Sequence, residues 1–161
     1  MKEPVRGRGA ARAVADLMDG KVLASVEIAA SAERVFGALA SEEIVTWWGM
    51  PGVFETLEWT GDVRPGGRWR AKGLRANGQA WFLEGEFLEV DPPRKLVHTW
   101  HVPDTDEAPS LVTYLVEPVD KGVRITLRHT GITQRDSCMG ACMGWESSFT
   151  RLVELLGALN A

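Results

Sequence analysis

The chain predicts an α+β fold, an antiparallel sheet covered by one long C-terminal helix, on three observations. Between residues 54 and 130 apolar and polar side chains alternate with a period of two, and turn residues interrupt them at short intervals. Beyond residue 140 the apolar spacing becomes helical, with Trp145, Phe149, Leu152, Val153 and Leu156 on one stripe. The 161 residues suit one domain with a proper core.

The elements follow in order. Residues 1–20 are rich in Arg, Ala and Gly and read as a tail, in which Ala10–Met18 is compatible with a short helix ended by Gly20. The domain is expected over 21–161. Val22, Ala24, Val26 and Ile28 alternate with polar or small neighbours, which predicts a first strand with one buried face. Ser31 offers an N-cap for a short helix with Glu33 in its first turn, and Ser41 repeats the device ahead of Ile44, Val45, Trp47 and Trp48.

Strands are then expected at Phe54–Val63, Arg68–Arg75, Trp81–Val90, Lys95–Val102, Leu111–Glu117 and Val123–Thr130. Pro65-Gly66-Gly67 and Asp120-Lys121-Gly122 supply turns, and Asn77-Gly78 predicts a type I′ hairpin. Short connections make neighbouring strands antiparallel. The final helix is expected from Gly140 or Gly144 to about Leu159, roughly 24 Å at 1.5 Å per residue. A seven-stranded sheet with one apolar face must bury it, and this helix alone is long enough to cover it. Because sheets coil, a helix laid across one touches it unevenly and leaves space between.

Several segments carry a resemblance: Glu33-Arg34-Val35-Phe36, Trp47-Trp48-Gly49, residues 62–69 (DVRPGGRW), residues 84–93 (EGEFLEVDPP) and Gly144-Trp145. In this order they resemble the family named for its homology to the activator of the heat-shock-protein-90 ATPase, within the START and birch-pollen-allergen-like (SRPBCC) superfamily. The resemblance covers about residues 22–157. It implies a helix-grip fold, a sheet wrapped around the C-terminal helix with a hydrophobic cavity between them. It leaves activity open, since the superfamily includes lipid carriers, hormone receptors and polyketide cyclases.

Seven tryptophans accompany a single tyrosine, and large flat side chains either fill a core or line a pocket. Alternation sets His98 with Leu96 and Trp100, and His129 with Ile125 and Leu127, on apolar faces. An imidazole there can orient a polar group or move a proton; its ordinary role is a neutral, hydrogen-bonded core residue. The candidate ligand-binding residues are Trp69, Trp81, Phe87, His98, Trp100, His129, Trp145 and Phe149. Glu84 and Glu86 share a face, where pairing with Arg68, Arg70 or Arg124 is the ordinary account. Cys138 and Cys142 lack the companions of a metal site and read as small buried thiols.

No nucleophile elbow, phosphate loop or dinucleotide fingerprint occurs, so neither a catalytic motif nor a cofactor is expected. The net charge of −4 argues against a nucleic-acid partner. No apolar stretch approaches the roughly 20 residues of a membrane span. Arg6, Arg8 and Arg12 lack a following apolar segment; a solvated tail or a short transit-like leader fits them, and the cytoplasm is the expected compartment. The first functional expectation is therefore a protein that encloses a small apolar or aromatic ligand. The competitors are a cyclase, dehydratase or hydrolase using His98 or His129 as base, and an interaction or co-chaperone-like module using Trp47 and Trp48. A homodimer is compatible with each.

Overall fold

The alternating segments assemble into one continuous sheet. The computed structural model describes residues 9–159; Arg6, Arg8 and the start of the expected tail lie outside them. The described elements are β1 (Arg12–Asp16), β2 (Lys21–Ile28), α1 (Ala32–Leu39), α2 (Ile44–Trp47), β3 (Gly49–Met50), β4 (Phe54–Gly61), β5 (Arg68–Arg75), β6 (Ala80–Asp91), β7 (Lys95–Trp100), β8 (Ser110–Val119), β9 (Gly122–Thr130) and α3 (Arg135–Leu156). All strand pairs are antiparallel, in the order β1-β2-β9-β8-β7-β6-β5-β4-β3. The sheet has nine strands among the described residues where the sequence predicts seven, because an edge strand is added at each side.

The first addition replaces the helix expected at Ala10–Met18. Residues 12–16 instead pair with 21–25 as strand β1. Asp16 closes the turn, its Oδ1 accepting from the N–H of Met18 at 3.1 Å and of Asp19 at 3.0 Å. Such a side-chain turn competes directly with helix. The Glu146 carboxylate on α3 takes a further β1 N–H, that of Ala13, at 3.1 Å. Tertiary partners thus override the alanine-rich local preference.

The inner face of the sheet is continuous. Val22, His129, Val112, His98 and Phe87 stand opposite one another in a single row across β2, β9, β8, β7 and β6. Ala24, Leu127, Tyr114 and Leu96 form the next row. All nine of these side chains are buried. Across β5 and β6 Arg68 stands opposite Glu86 and Arg70 opposite Glu84, whereas Arg124 pairs with Glu27 at 2.9 Å rather than with either glutamate.

Two cross-strand Trp–Gly pairs tighten the β5–β6 ribbon: Trp69 opposite Gly85, and Gly73 opposite Trp81. Each indole lies over the glycine Cα, so a Cβ at Gly85 would collide with Trp69 and the Thr99 carbonyl, and one at Gly73 with Trp81 and the Glu55 carbonyl. The β5–β6 turn is not type I′. Only Gly78 has positive φ, at 84°, and Gly78 N–H donates to Arg75 O at 2.9 Å, as in a three-residue loop closed by a left-handed glycine.

The short helices cap one end of the sheet. Ser31 Oγ accepts from Arg34 N at 3.1 Å, as expected of an N-cap. Ser41 Oγ accepts from Glu43 N at 3.2 Å, one residue before α2 begins. Helix α3 starts at Arg135, earlier than expected, because Gly140 and Gly144 lie within it rather than at its head. It runs alongside β2: Cys138 Sγ lies near the Lys21 carbonyl, and Gly157 O accepts from Ala29 N at 3.0 Å.

Substituting Gly85→Ala should destabilise the protein by about 1–3 kcal/mol, since the indole above it has nowhere to go. Gly140→Ala, where a Cβ meets nothing within 4 Å, should be neutral or stabilise by up to about 1 kcal/mol. Urea unfolding of the two variants checks the contrast.

Candidate functional site

Apolar alternation on the sheet and the helical stripe of α3 bring most of the aromatic residues together. Trp48, Trp69, Trp100, Trp145, His98, His129, Tyr114, Phe87 and Phe149 form one cluster, with Trp48–Trp100 at 5.3 Å between ring centroids, Trp69–His98 at 5.1 Å and Trp100–His129 at 5.3 Å. Edge-to-face contacts dominate around Trp48, which meets Trp69 at 83° and Trp145 at 89°. Such geometry sets ring edges against the electron-rich faces of their neighbours. The deep interior beneath α3 is therefore filled by rings.

His129 is built in from three sides. The Trp145 indole N–H donates to its Nδ1 at 3.1 Å, so Nδ1 carries the lone pair and Nε2 the proton. Nε2–H then donates to Ser110 Oγ at 2.8 Å, and the Ser110 hydroxyl donates to the Trp100 carbonyl at 3.3 Å. Burial pushes this imidazole down to about 3, with the neighbouring His98 a smaller cause. With both nitrogens engaged and protonation suppressed, His129 is a poor general base.

His98 differs. Its Nδ1 faces the Thr99 carbonyl at 2.9 Å, an acceptor, so Nδ1 carries the proton. Nε2 is left as an acceptor, and no hydrogen bond to it occurs among the described residues. Burial pushes His98 down to about 4. Two further polar atoms in the cluster, Trp48 Nε1 and the Tyr114 hydroxyl, are buried with each other as nearest polar partner, in a contact longer than an ordinary hydrogen bond. The two lie side by side, close enough for the indole to act on the ionisation of the phenol, which burial strongly opposes.

Space opens at one end of this cluster. A cleft of about 1270 Å³ runs between the β4–β6 part of the sheet and the first half of α3, extending to Trp48 and Trp100. Trp48, Trp81, Trp100 and Trp145 line it, with Ala71 and Leu83 from the sheet and Arg70, Lys72 and Glu84 among its charged residues. The helix contributes Ser137, Gly140, Ala141, Gly144 and Ser148, a face of small residues that leaves room where a leucine would fill it. Of the residues expected to bind a ligand, Trp81, Trp100 and Trp145 reach this cleft; Trp69, Phe87, His98, His129 and Phe149 stand behind it in the ring cluster.

Sequence reasoning misses Trp48 and Tyr114. The interaction-module alternative needs Trp47 and Trp48 exposed, whereas the commoner role of such a pair is core at the end of the sheet; they are 0% and 4% exposed, and Trp47 Nε1–H donates to the Ala38 carbonyl at 2.9 Å. Continuing the alternation Val112-Tyr114-Val116 would have placed Tyr114 on the inner face. Also unforeseen is a clamp from α3: Ser147 Oγ donates to Gly49 O at 2.8 Å, Ser148 Oγ accepts from Gly49 N at 3.3 Å, and Arg151 donates to Thr46 O at 2.9 Å. It fixes the backbone that carries Trp48.

A second groove, about 890 Å³, lies on the other side of α3 beside Thr46 and Met50; its lining includes Cys142, Met143, Glu146, Arg151 and Glu154 but no aromatic ring. Cys138 is buried and Cys142 half-buried, both unpaired, and burial raises each thiol. Among the described residues no group of three or more His, Cys, Asp and Glu is arranged to hold a metal ion. No helix is long and apolar enough to cross a membrane among those residues.

The two depressed imidazoles make stability depend on pH. Below the ordinary value of 6.5 the unfolded chain takes up protons that the folded chain refuses until pH nears 4 for His98 and 3 for His129. Their contribution is complete above pH 6.5 and is lost as pH falls through this window, at about 1.4 kcal/mol per pH unit for each imidazole. Urea unfolding between pH 7 and 5 should show this slope, and His98→Leu should flatten it by about half of the histidine share; an unchanged slope would contradict the assignment.

The comparisons with known proteins agree with this architecture. The family model described as "Activator of Hsp90 ATPase homolog 1-like protein" matches residues 29–157. Protein Ms6760 from Mycobacterium smegmatis is similar in structure with a TM-score of 0.75 at 24% identity, covering 92% of this chain and 98% of its own. An AHSA1 protein from Silicibacter pomeroyi gives a TM-score of 0.69 at 26% identity, covering 84% and 96%. A protein from Arthrobacter aurescens gives 0.76 at 19% identity, covering 91% and 94%. The comparison with curated proteins gives no match. With a curled antiparallel sheet, a C-terminal helix across it and a family model spanning most of its length, the chain belongs to the Activator of Hsp90 ATPase homolog 1-like family within the SRPBCC superfamily.

Proposed function

We propose that the chain binds a small apolar or aromatic molecule in the cleft between β4–β6 and the first half of α3. The observation that carries this reading is the pairing of four indoles with a helix face of small residues. Ligand sites are mostly apolar concavities with a few convergent polar groups, and this cleft has that character. Trp81, Trp100 and Trp145 supply the contact area, while Trp69, Phe87, His98, His129 and Phe149 hold the floor rigid behind them. The family commonly binds hydrophobic ligands, which supports the same reading.

Two competitors lose ground. A cyclase, dehydratase or hydrolase needs a base that titrates near neutral pH. Burial holds His98 at about 4 and His129 at about 3, and the tautomer of each is fixed by a protein partner. An interaction module built on Trp47 and Trp48 needs them exposed, and both are buried.

The seven indole N–H groups report on the test directly. A panel of two-ring aromatic probes, 2-methoxynaphthalene among them, should shift the Trp81, Trp100 and Trp145 indole resonances saturably in nitrogen–proton NMR spectra. Gly140→Phe, at a cleft-lining position where an added Cβ meets nothing within 4 Å, should weaken binding by about tenfold or more while the fold is kept. Indole signals unmoved by every probe would contradict the proposal.

A further inference from the structure

Among the described residues three cations line the cleft, Arg70, Lys72 and Arg75, together with the carboxylates of Glu58, Glu84 and Asp104. Strand register matches two of the cations with acids. Arg70 stands opposite Glu84, and Lys72 opposite Glu58. Lys72 also lies over the Phe82 ring at 6.0 Å, and Glu84 meets His101 at 3.5 Å. Arg75 has no such neighbour. Its partner on β4 is Phe54, and its backbone alone is hydrogen-bonded, to Gln79 and Gly78. The exposed guanidinium makes no ion pair and no hydrogen bond among the described residues.

An exposed arginine on its own is only solvated; the placement of this one gives it a second role. Arg75 falls in step with the buried Trp69, Ala71 and Gly73 along β5, so alternation sets it on their side of the strand. Strand β5 runs between the two rings that approach it most closely in the cleft, Phe54 on β4 and Trp81 on β6. These rings meet edge to face at 6.0 Å and 78°. Trp81 stands opposite Gly73, two residues before Arg75, a separation of about 7 Å along a strand. A two-ring molecule against Trp81 therefore ends within reach of the guanidinium, whose planar fork matches a carboxylate through two parallel N–H···O bonds.

We propose that Arg75 anchors a ligand carboxylate at the rim of the cleft, so that the site takes aromatic acids with their rings against Phe54 and Trp81. This rests on the cleft being a ligand site and names the chemical class of its ligand. The opposite preference, for an aromatic amine, would come from Asp104, which lines the cleft from the β7–β8 connection and makes no ion pair among the described residues. Arg75 is favoured because its register places it between the two rings, on a strand hydrogen-bonded on both sides.

The experiment compares 2-naphthoate with 2-naphthamide, which share a shape and differ in charge, and with the cation of 2-naphthylmethylamine, by calorimetric titration of the full chain near neutral pH and at low salt. Wild-type protein should bind the naphthoate about threefold to tenfold more tightly than the amide, the modest range expected of a partly screened pair. Arg75→Gln should bring that preference to within about twofold and leave the affinity for the amide unchanged. Arg70→Gln and Lys72→Gln should retain the preference, and raising the salt concentration should shrink it in wild-type protein. A preference that survives Arg75→Gln, or that falls equally in all three variants, overturns the anchor, the second result because it reports the general field of the sheet. Tighter binding of the ammonium probe overturns it in favour of Asp104. Equal binding of all three probes overturns the anchor but leaves the cleft as a binding site; binding of none overturns both.

Discussion

The hydrogen bond from the Trp145 indole to His129 ties the last helix to the centre of the sheet. It is a contact between two large side chains in a dry interior, and neither has another partner that would satisfy the shared atoms. The indole fixes the imidazole tautomer, the imidazole fixes the Ser110 hydroxyl, and Ser110 returns to the backbone of Trp100 at the end of β7. A helix and three strands are thereby held by one chain of donors. Such networks stabilise when every member is satisfied and are costly when one is not.

Seating Trp145 at that depth divides α3 into two functional halves. On its C-terminal side Phe149 and Leu152 continue into the core, where the space is filled. On its N-terminal side Cys138 is buried near the Asp16 and Lys21 carbonyls, while Ser137, Gly140, Ala141 and Gly144 line the cleft. The clamp that positions Trp48, through Ser147, Ser148 and Arg151, comes from the turns that follow Trp145. A single amphipathic helix thus closes the core with one end and roofs the cleft with the other. Its modest apolar stripe follows from that division, because the residues over the cleft are small instead of apolar.

Much of this was legible in the sequence, and the physical reasons for the rest are specific. Alternation in β2, β5 and β9 names the buried face correctly, His129 included, and in β7 it sets the buried His98 with the buried Leu96. Strand β1 was hidden because alanines at 13 and 15 carry no hydrophobic alternation and favour helix in isolation; its pairing depends on the Asp16 turn and on Glu146, more than a hundred residues away. Strand β3 spans two residues, Gly49 and Met50, too few to show a period. The start of α3 was hidden because Gln134 makes no side-chain cap and the glycines that look like breaks face open space or Phe54. For the site, sequence located the rings but not their depth. Which of seven indoles reach the cleft depends on the Trp–Gly register of β5 and β6 and on where Trp145 anchors, neither of which a period of two reveals.

The state of the His129 ring at neutral pH tests this account most directly. Nitrogen NMR of labelled protein should show His129 protonated on Nε2 alone, uncharged down to pH 5, with a slowly exchanging Trp145 indole proton bonded to Nδ1. A His129 that titrates near pH 6.5, or that carries its proton on Nδ1, would mean the indole is seated elsewhere, and the division of the interior into a filled core and an open cleft would fall with it.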